Sequence, residues 1–309
     1  MYNDEYVYDI EVDDFHTFIA NNILVHNSIY VEFGRIVNQL NIPPDKAPKF
    51  VVDLWNYGCG PYMDKKYEEY AKKFNCDKNL QSLELEKIAD TALMTSKKHY
   101  AMSECFKEPD IYLEPGETVL YKGLELIQGS CPKYSRECQD KFIRFILAWY
   151  AKHTEKPDFN TIFTMVKEFK TGFLRQSPDD ICKCLSVSDY SKFILDDKNN
   201  IVVGQHCPIH VKGAGIANYI LSQDKNKKYL MKYNKIRSRD KVRFYYTTDP
   251  DFPVFAFLPN NFPLEFALPI DYNKQFENMI LVPINRILNI IGHPELTPDL
   301  CYTSSLFSN

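Results

Sequence analysis

The sequence predicts an α+β fold in three successive parts: a small β segment, a mixed α/β part, and a helix-rich lobe with a β insert. Three observations predict it. Apolar residues alternate over Tyr6 to Val12 and again over Phe18 to Val25, the period-two pattern of strands. Between Tyr134 and His153, and between Phe159 and Phe169, they recur at helical spacing instead, as in Phe142, Phe145, Ile146 and Trp149. β-like character returns over Leu83 to Phe106 and in short runs within Ile201 to Tyr246.

Taken in order, Asn21-Asn22 reads as a turn, and Ser28 to Ile36 as a further strand. Pro43-Pro44 breaks the chain. Ala47 to Phe74 reads as helix, with Gly58, Gly60 and Pro61 expected to kink or split it. Asp196 to Asn200 is a polar turn. Within Ile201 to Tyr246 the strands accompany a short helix. Tyr272 to Ile291 is a last helix, interrupted at Pro283. There is no internal repeat and no low-complexity tract.

With 309 residues, 45% of them hydrophobic, the chain can bury a sizeable core in more than one lobe. A net charge of -4 does not by itself announce a nucleic-acid binder, so local patches carry more weight than the total. Nine scattered cysteines without a CxxC pair favour reduced thiols over a disulfide framework. No run approaches the length of a membrane span, and the first residues are acidic where a secretory signal is basic. A soluble cytoplasmic protein with no membrane partner is expected.

The first chemistry lies at His26-Asn27-Ser28. An asparagine amide can attack its own main-chain carbonyl, closing a succinimide and cutting the peptide bond that follows. That reaction needs a general acid, which suits His26, and His16 if the two strands pair. Ser28 supplies a hydroxyl able to accept an acyl group. Asp9, seven residues before His16, can tune the site as a carboxylate. An ordinary hairpin with buried histidines is the simpler alternative, but two blocks in order at this spacing outweigh it.

Val7-Tyr8-Asp9-Ile10-Glu11-Val12 with His16-Thr17-Phe18, then Asn22-Ile23-Leu24-Val25-His26-Asn27 followed by Ser28, resemble the two C-terminal blocks of an intein. The resemblance implies that Asp9, His16, His26, Asn27 and Ser28 carry the splicing roles, within half of a Hint-type β domain. Asn22 stands where the family often has glycine, and asparagine tolerates the positive φ of such a turn. The amino-terminal intein blocks do not precede Ser28. The expectation is a split intein whose larger half is on a separate chain, over a trimmed sequence.

Beyond Ser28 the chain resembles a family B DNA polymerase, closest to the replicative enzymes of T-even-type bacteriophages. Ser28-Ile29-Tyr30-Val31 would complete an Asp-Thr-Asp-Ser turn whose metal-binding aspartates end the partner chain. Lys97-Lys98-His99-Tyr100 resembles the Lys-Lys-x-Tyr element. Lys122-Gly123-Leu124-Glu125 resembles the stretch opening the thumb, and Pro208-Ile209-His210-Val211-Lys212-Gly213 resembles a thumb signature. Ser305-Leu306-Phe307 lies where relatives carry a sliding-clamp ligand.

This resemblance implies an intein fragment at 1–27, the C-terminal part of the palm at 28–121 and the thumb at 122–309. It implies Mg2+ for the assembled polymerase and none for splicing. It also implies primer-template DNA and an N-terminal polymerase chain as partners. Lys97 and Lys98 beside Tyr100 suit duplex phosphates near a primer end, with Lys122, His210 and Lys212 as further DNA contacts.

Other residues keep two readings. Lys225, Lys227, Lys228, Lys232, Lys235, Arg237, Arg239, Lys241 and Arg243 form the most basic window. It either grips duplex or edges a plain strand with lysines. Glu84 and Glu86, at i and i+2 on one strand face, serve as an acidic pair near the palm metals or as salt-bridged structural residues. His206, Cys207 and His210 lack zinc spacing, and Cys182 and Cys184 are more simply a cysteine pair. Two functions compete: trans-splicing into a polymerase, or a non-covalently docking DNA-binding subunit with an inactive intein remnant. A free clamp-tethering module is the weakest third.

Overall fold

The computed structural model describes residues 31–79, 81–114, 116–188, 207–224 and 228–300, with the backbone of Thr17–Ala20 and Ile23–His26. The fold is α+β, combining helices with small antiparallel sheets. β1 (Thr17–Ala20) and β2 (Ile23–His26) pair antiparallel, Thr17 opposite His26 and Ala20 opposite Ile23. The expected turn at Asn21-Asn22 lies outside the described residues. The expected strand over 6–12 and the turn at 196–200 lie outside the described residues.

The chain divides into two compact units, residues 1–90 with 104–118, and 91–103 with 119–309. The first unit begins with α1 (Gly34–Gln39). This corrects the strand expected to reach Ile36. The alternation of Val31 and Phe33 gives way at Phe33 to helical spacing through Val37 and Leu40, and Val37 N donates to Phe33 O at 3.0 Å.

α2 (Ala47–Leu54) and α3 (Gly60–Lys73) are separated by a π-helical turn, Trp55–Cys59. Pro61 explains it. Proline has no N–H for the carbonyl four residues back and its ring crowds that carbonyl, so the helix widens, and Gly60 N bonds Trp55 O five residues back. β3 (Lys87–Ser96), β4 (His99–Lys107), β5 (Ile111–Tyr112) and β6 (Thr118–Lys122) form one sheet, ordered β3-β4-β5 with β6 also on β4. At the base of this hairpin Glu104, 4% exposed, has Lys87 Nζ at 2.7 Å as an ion pair.

The second unit holds the main core. α4 (Lys133–Tyr150) buries Cys138, Phe142, Ile143 and Ile146 along one stripe, as the sequence spacing predicts. α5 (Phe159–Phe173) starts where Asp158 accepts from Thr161 N at 3.0 Å, satisfying an orphan donor of the first turn. After α6 (Pro178–Ile181), strands β7 (Lys183–Ser186), β8 (Lys241–Tyr246) and β9 (Val254–Phe257) form an antiparallel sheet with β8 central.

α7 (Ile209–Ser222) lies on that sheet and is far longer than the short helix expected. Its run Val211 to Ala217, half-buried only at Lys212, shows no amphipathic rhythm, so buried helix and strand read alike. Gly213 permits the approach, since a Cβ there would stand 3.1 Å from the Ala256 Cβ on β9. α8 (Lys228–Lys232) follows, and Tyr245 on β8 is wholly buried with its hydroxyl donating to Leu268 O at 2.7 Å.

The last helix repeats the device of α2 and α3. α9 (Tyr272–Phe276) and α10 (Val282–Ile290) are joined through the π-helical turn Glu277–Leu281, just before Pro283. The interruption therefore precedes the proline by one widened turn. Met279 O, the carbonyl a residue-283 N–H would have served, accepts from the buried Gln139 Nε2 at 3.4 Å. Among the described residues every cysteine is a free thiol, with Cys105, Cys131, Cys138 and Cys182 buried. No described helix is long and apolar enough to cross a membrane.

Candidate nucleic-acid interface

Two turns bring three lysines of the sequence-predicted set together. Lys97 and Lys98 form the exposed turn between β3 and β4, Lys98 with a φ of 60°. Thr95 Oγ1 donates to His99 O at 3.0 Å, and His99 Nδ1 lies 2.7 Å from Lys97 O, so the turn is tied on both sides. Gly123 sits against it with a φ of 69°; a Cβ there would stand 2.2 Å from Lys98 O and 2.9 Å from the His99 ring. Only glycine permits that approach.

Lys122, exposed, immediately precedes Gly123, so its backbone enters the same turn contact. Tyr121 donates to Asp140 Oδ1 at 2.5 Å and Glu125 receives Arg286 at 2.7 Å, fixing both flanks of this stretch. Tyr100 has a different setting. It is 6% exposed and offers little surface to a ligand.

His210 and Lys212 lie in the first turn of α7, each half-buried. His210 Nε2 is 3.2 Å from Ser186 O, and burial lowers its pKa below the ordinary 6.5. Through this contact it holds α7 to the end of β7. The Pro-x-His-x-Lys-Gly run thus has a packing explanation at Pro208, His210 and Gly213, with Lys212 the member whose type packing does not dictate.

Over 228–240 the basic window is neither a plain strand edge nor a uniform basic grip. Those residues are α8 followed by an irregular loop, and strand begins only at Lys241. Two cations are structural. Lys232 is bonded to Glu265, which Tyr233 also bonds; these two partners hold the Glu265 carboxyl down to about 2. Arg243 has Asp179 at 2.7 Å and donates to Cys182 O at 3.0 Å. Arg243 is therefore removed from the candidate contacts; its partner lies 64 positions upstream, beyond any local signal. Lys228, Lys235, Arg237, Arg239 and Lys241 remain exposed.

The acidic pair does not lie on a strand. Glu84 and Glu86 are exposed in the non-strand segment before β3, where the Glu86 carbonyl accepts from Glu108 N at 3.0 Å. Among the described residues no three His, Cys, Asp or Glu side chains gather to hold a metal. Asp9, His16, Asn27, Ser28, His206 and Ser305-Leu306-Phe307 lie outside the described residues, and His26 is described by its backbone alone.

The chain is similar to a DNA polymerase. Over 145 residues it is 30% identical to a DNA polymerase from Thermococcus litoralis, a match covering 46% of this chain and 7% of that protein. The chain thus spans a small fraction of the relative's length. No family model matches the chain.

Proposed function

We propose that this chain is the C-terminal part of a family B DNA polymerase of the T-even-type bacteriophage kind, preceded by the C-terminal half of a split intein. The intein fragment is 1–27, the palm remainder 28–121 and the thumb 122–309, and the protein works in the cytoplasm of a cell. The observation that carries the polymerase reading is the 145-residue similarity to a DNA polymerase. The clustered Lys97, Lys98 and Lys122 support it, because cations on tied turns suit contact with duplex phosphates. Lys212 is a further proposed contact, and Tyr100 and His210, held by packing, position the β3–β4 turn and α7 for it.

The splicing reading rests on Asp9, His16, His26, Asn27 and Ser28, and the β1–β2 register supports it by setting Thr17 opposite His26. An acyl group of the partner chain passes to Ser28 Oγ as an ester. Asn27 Nδ2 then attacks its own carbonyl, helped by proton transfer from His26 and His16, and Asp9 tunes their basicity. Succinimide closes as the Asn27–Ser28 bond breaks, and the freed Ser28 amine takes the acyl group from its own oxygen, leaving a peptide bond.

Mg2+ would serve the assembled polymerase by neutralising charge on the transferred phosphates. Glu84 and Glu86 are two oxygen donors, too few alone for an octahedral ion, and suit a site completed by aspartates of the partner chain. Ser305-Leu306-Phe307 would engage a sliding clamp.

Co-expression with the upstream polymerase chain tests the proposal. Mass spectrometry should find a ligated product and an excised intein half, and Asn27→Ala should suppress release at the C-side junction. Two unligated wild-type chains that together synthesise DNA would overturn the splicing reading while leaving the polymerase reading standing.

A further inference from the structure

α8 turns one side to the core and the other to solvent. Tyr229 and Tyr233, four residues apart, both pack on Phe266, with ring centres 5.4 and 5.3 Å from it. Met231 lies midway between them and therefore on the opposite side, where it is 88% exposed. Leu264, two residues before that same Phe266, is 81% exposed. Its turn is tied down, since Pro263 O accepts from Phe266 N at 3.1 Å and from Ala267 N at 2.8 Å. Lys232 and Tyr233 both bond Glu265, joining the two segments that carry Met231 and Leu264. Among the described residues of the second unit no other large hydrophobic side chain is so exposed.

Beside α8 the 234–239 loop opens a recess of about 600 Å³. Leu230, Tyr233 and Ile236 give it an apolar wall, and Lys235 and Arg237 a cationic rim. α7 holds the loop in place. Ile236, 5% exposed, donates its N–H to Asn218 Oδ1 and accepts at its carbonyl from Asn218 Nδ2, both at 2.8 Å. This clamp fixes Ile236 inward and leaves its neighbours Lys235 and Arg237 exposed. Among the described residues no acidic side chain forms an ion pair with Lys228, Lys235 or Arg237.

Apolar and cationic groups mixed in this way select the chemistry of a partner. A phosphodiester backbone has no use for Met231, Leu264 or the apolar wall. Binding to a lipid surface scales with the apolar area buried, and two side chains beside a concave recess present little of it to a plane. Exposed apolar groups rimmed by polar ones, with methionine and arginine among them, are instead the composition of protein interfaces. The charge then sets the sign of the partner, because every charged residue from 228 to 239 is a lysine or arginine.

We infer that Met231, Leu264 and the recess beside α8 form a docking surface for an acidic segment of a partner protein, one with apolar side chains among its carboxylates. Met231, Leu264 and the apolar wall receive the apolar side chains, and Lys228, Lys235 and Arg237 face the carboxylates. The inference goes beyond the polymerase reading and stands without it.

The test is fluorescence anisotropy of the full chain with a fluorescein-labelled peptide of alternating aspartate and leucine, over a range of salt. The wild type should bind it saturably and more weakly as salt rises. Met231→Ala/Leu264→Ala should weaken binding by about tenfold, as loss of interface anchors does, with the salt dependence retained. Lys228→Ala/Lys235→Ala/Arg237→Ala should weaken it severalfold and flatten the salt dependence. All five side chains are exposed, so both variants should keep the wild-type melting curve. Peptides with serine for leucine, or lysine for aspartate, ask the same questions of the unaltered protein and should bind far more weakly.

No saturable binding of the aspartate–leucine peptide would overturn the inference, and so would equal binding of the serine peptide or wild-type affinity in both variants. Duplex DNA or phosphatidylserine vesicles that lose affinity for Met231→Ala/Leu264→Ala would overturn the assignment to a protein partner. None of these outcomes bears on the polymerase reading, which the co-expression experiment tests separately.

Discussion

At the scale of single residues, Gly123 is the sharpest case. Alanine there meets Lys98 O at 2.2 Å and must hold a φ of 69°, so the turn has to move or the strain be stored. Gly123→Ala should destabilise the second unit by about 1–3 kcal/mol in a urea titration. It should also reduce duplex affinity, by shifting Lys122 away from Lys97 and Lys98.

Two histidines give a pH dependence with a definite sign. Burial is the first cause lowering the pKa of both His210 and His293, whose Nε2 lies 2.9 Å from Pro157 O. The folded state then binds fewer protons than the unfolded one. Stability is complete above the unfolded value near 6.5 and falls as pH drops through it. The urea midpoint should be lower at pH 5.5 than at pH 7.5. Replacing both histidines with asparagine should shrink that difference; an unchanged difference would assign it to other groups.

At the scale of elements, the two π-helical turns show proline acting one turn upstream of itself. Pro61 and Pro283 are legible in the sequence as interruptions, but the form of the interruption is not. Nothing local says that Gln139, 140 positions before Met279, reaches its carbonyl. Gln139→Leu should cost about 1–3 kcal/mol by leaving that acceptor buried and unpaired. Adding Pro283→Ala restores an N–H nearby, so the double variant should lose less than the two single losses summed. Strict additivity in denaturation midpoints would show that the two groups do not share the carbonyl.

The elements also show what a single sequence conceals. α4 and α5 are legible because their apolar stripes repeat at helical spacing. α1 is hidden by a strand-like alternation ending at Phe33. α7 is hidden by its burial on nearly all sides. The three-lysine cluster is half legible: each lysine stands in a motif, while their convergence depends on the bare backbone of Gly123. The ion pair that withdraws Arg243, and the clamp on Ile236, join residues too far apart in sequence for any pattern to reveal.

At the scale of the whole molecule, the proposed division of labour makes a simple demand. The purified chain alone should incorporate no nucleotides on a primed template with Mg2+, because the main metal carboxylates are assigned to its partner. It should still bind duplex DNA, and more weakly as salt rises. Synthesis by the fragment alone would end that division.

The free cysteines carry a last consequence. Burial pushes the thiols of Cys105 and Cys138 up to about 12, and raises that of Cys182 as well, so none offers thiolate at neutral pH. Cys76, by contrast, is exposed in the first unit. Alkylation kinetics thus separate a surface thiol that reacts at once from interior thiols that wait for an opening event. Cys138 and Cys182, both in the second unit, make the chain its own clock for how often that unit opens, with no label engineered into it.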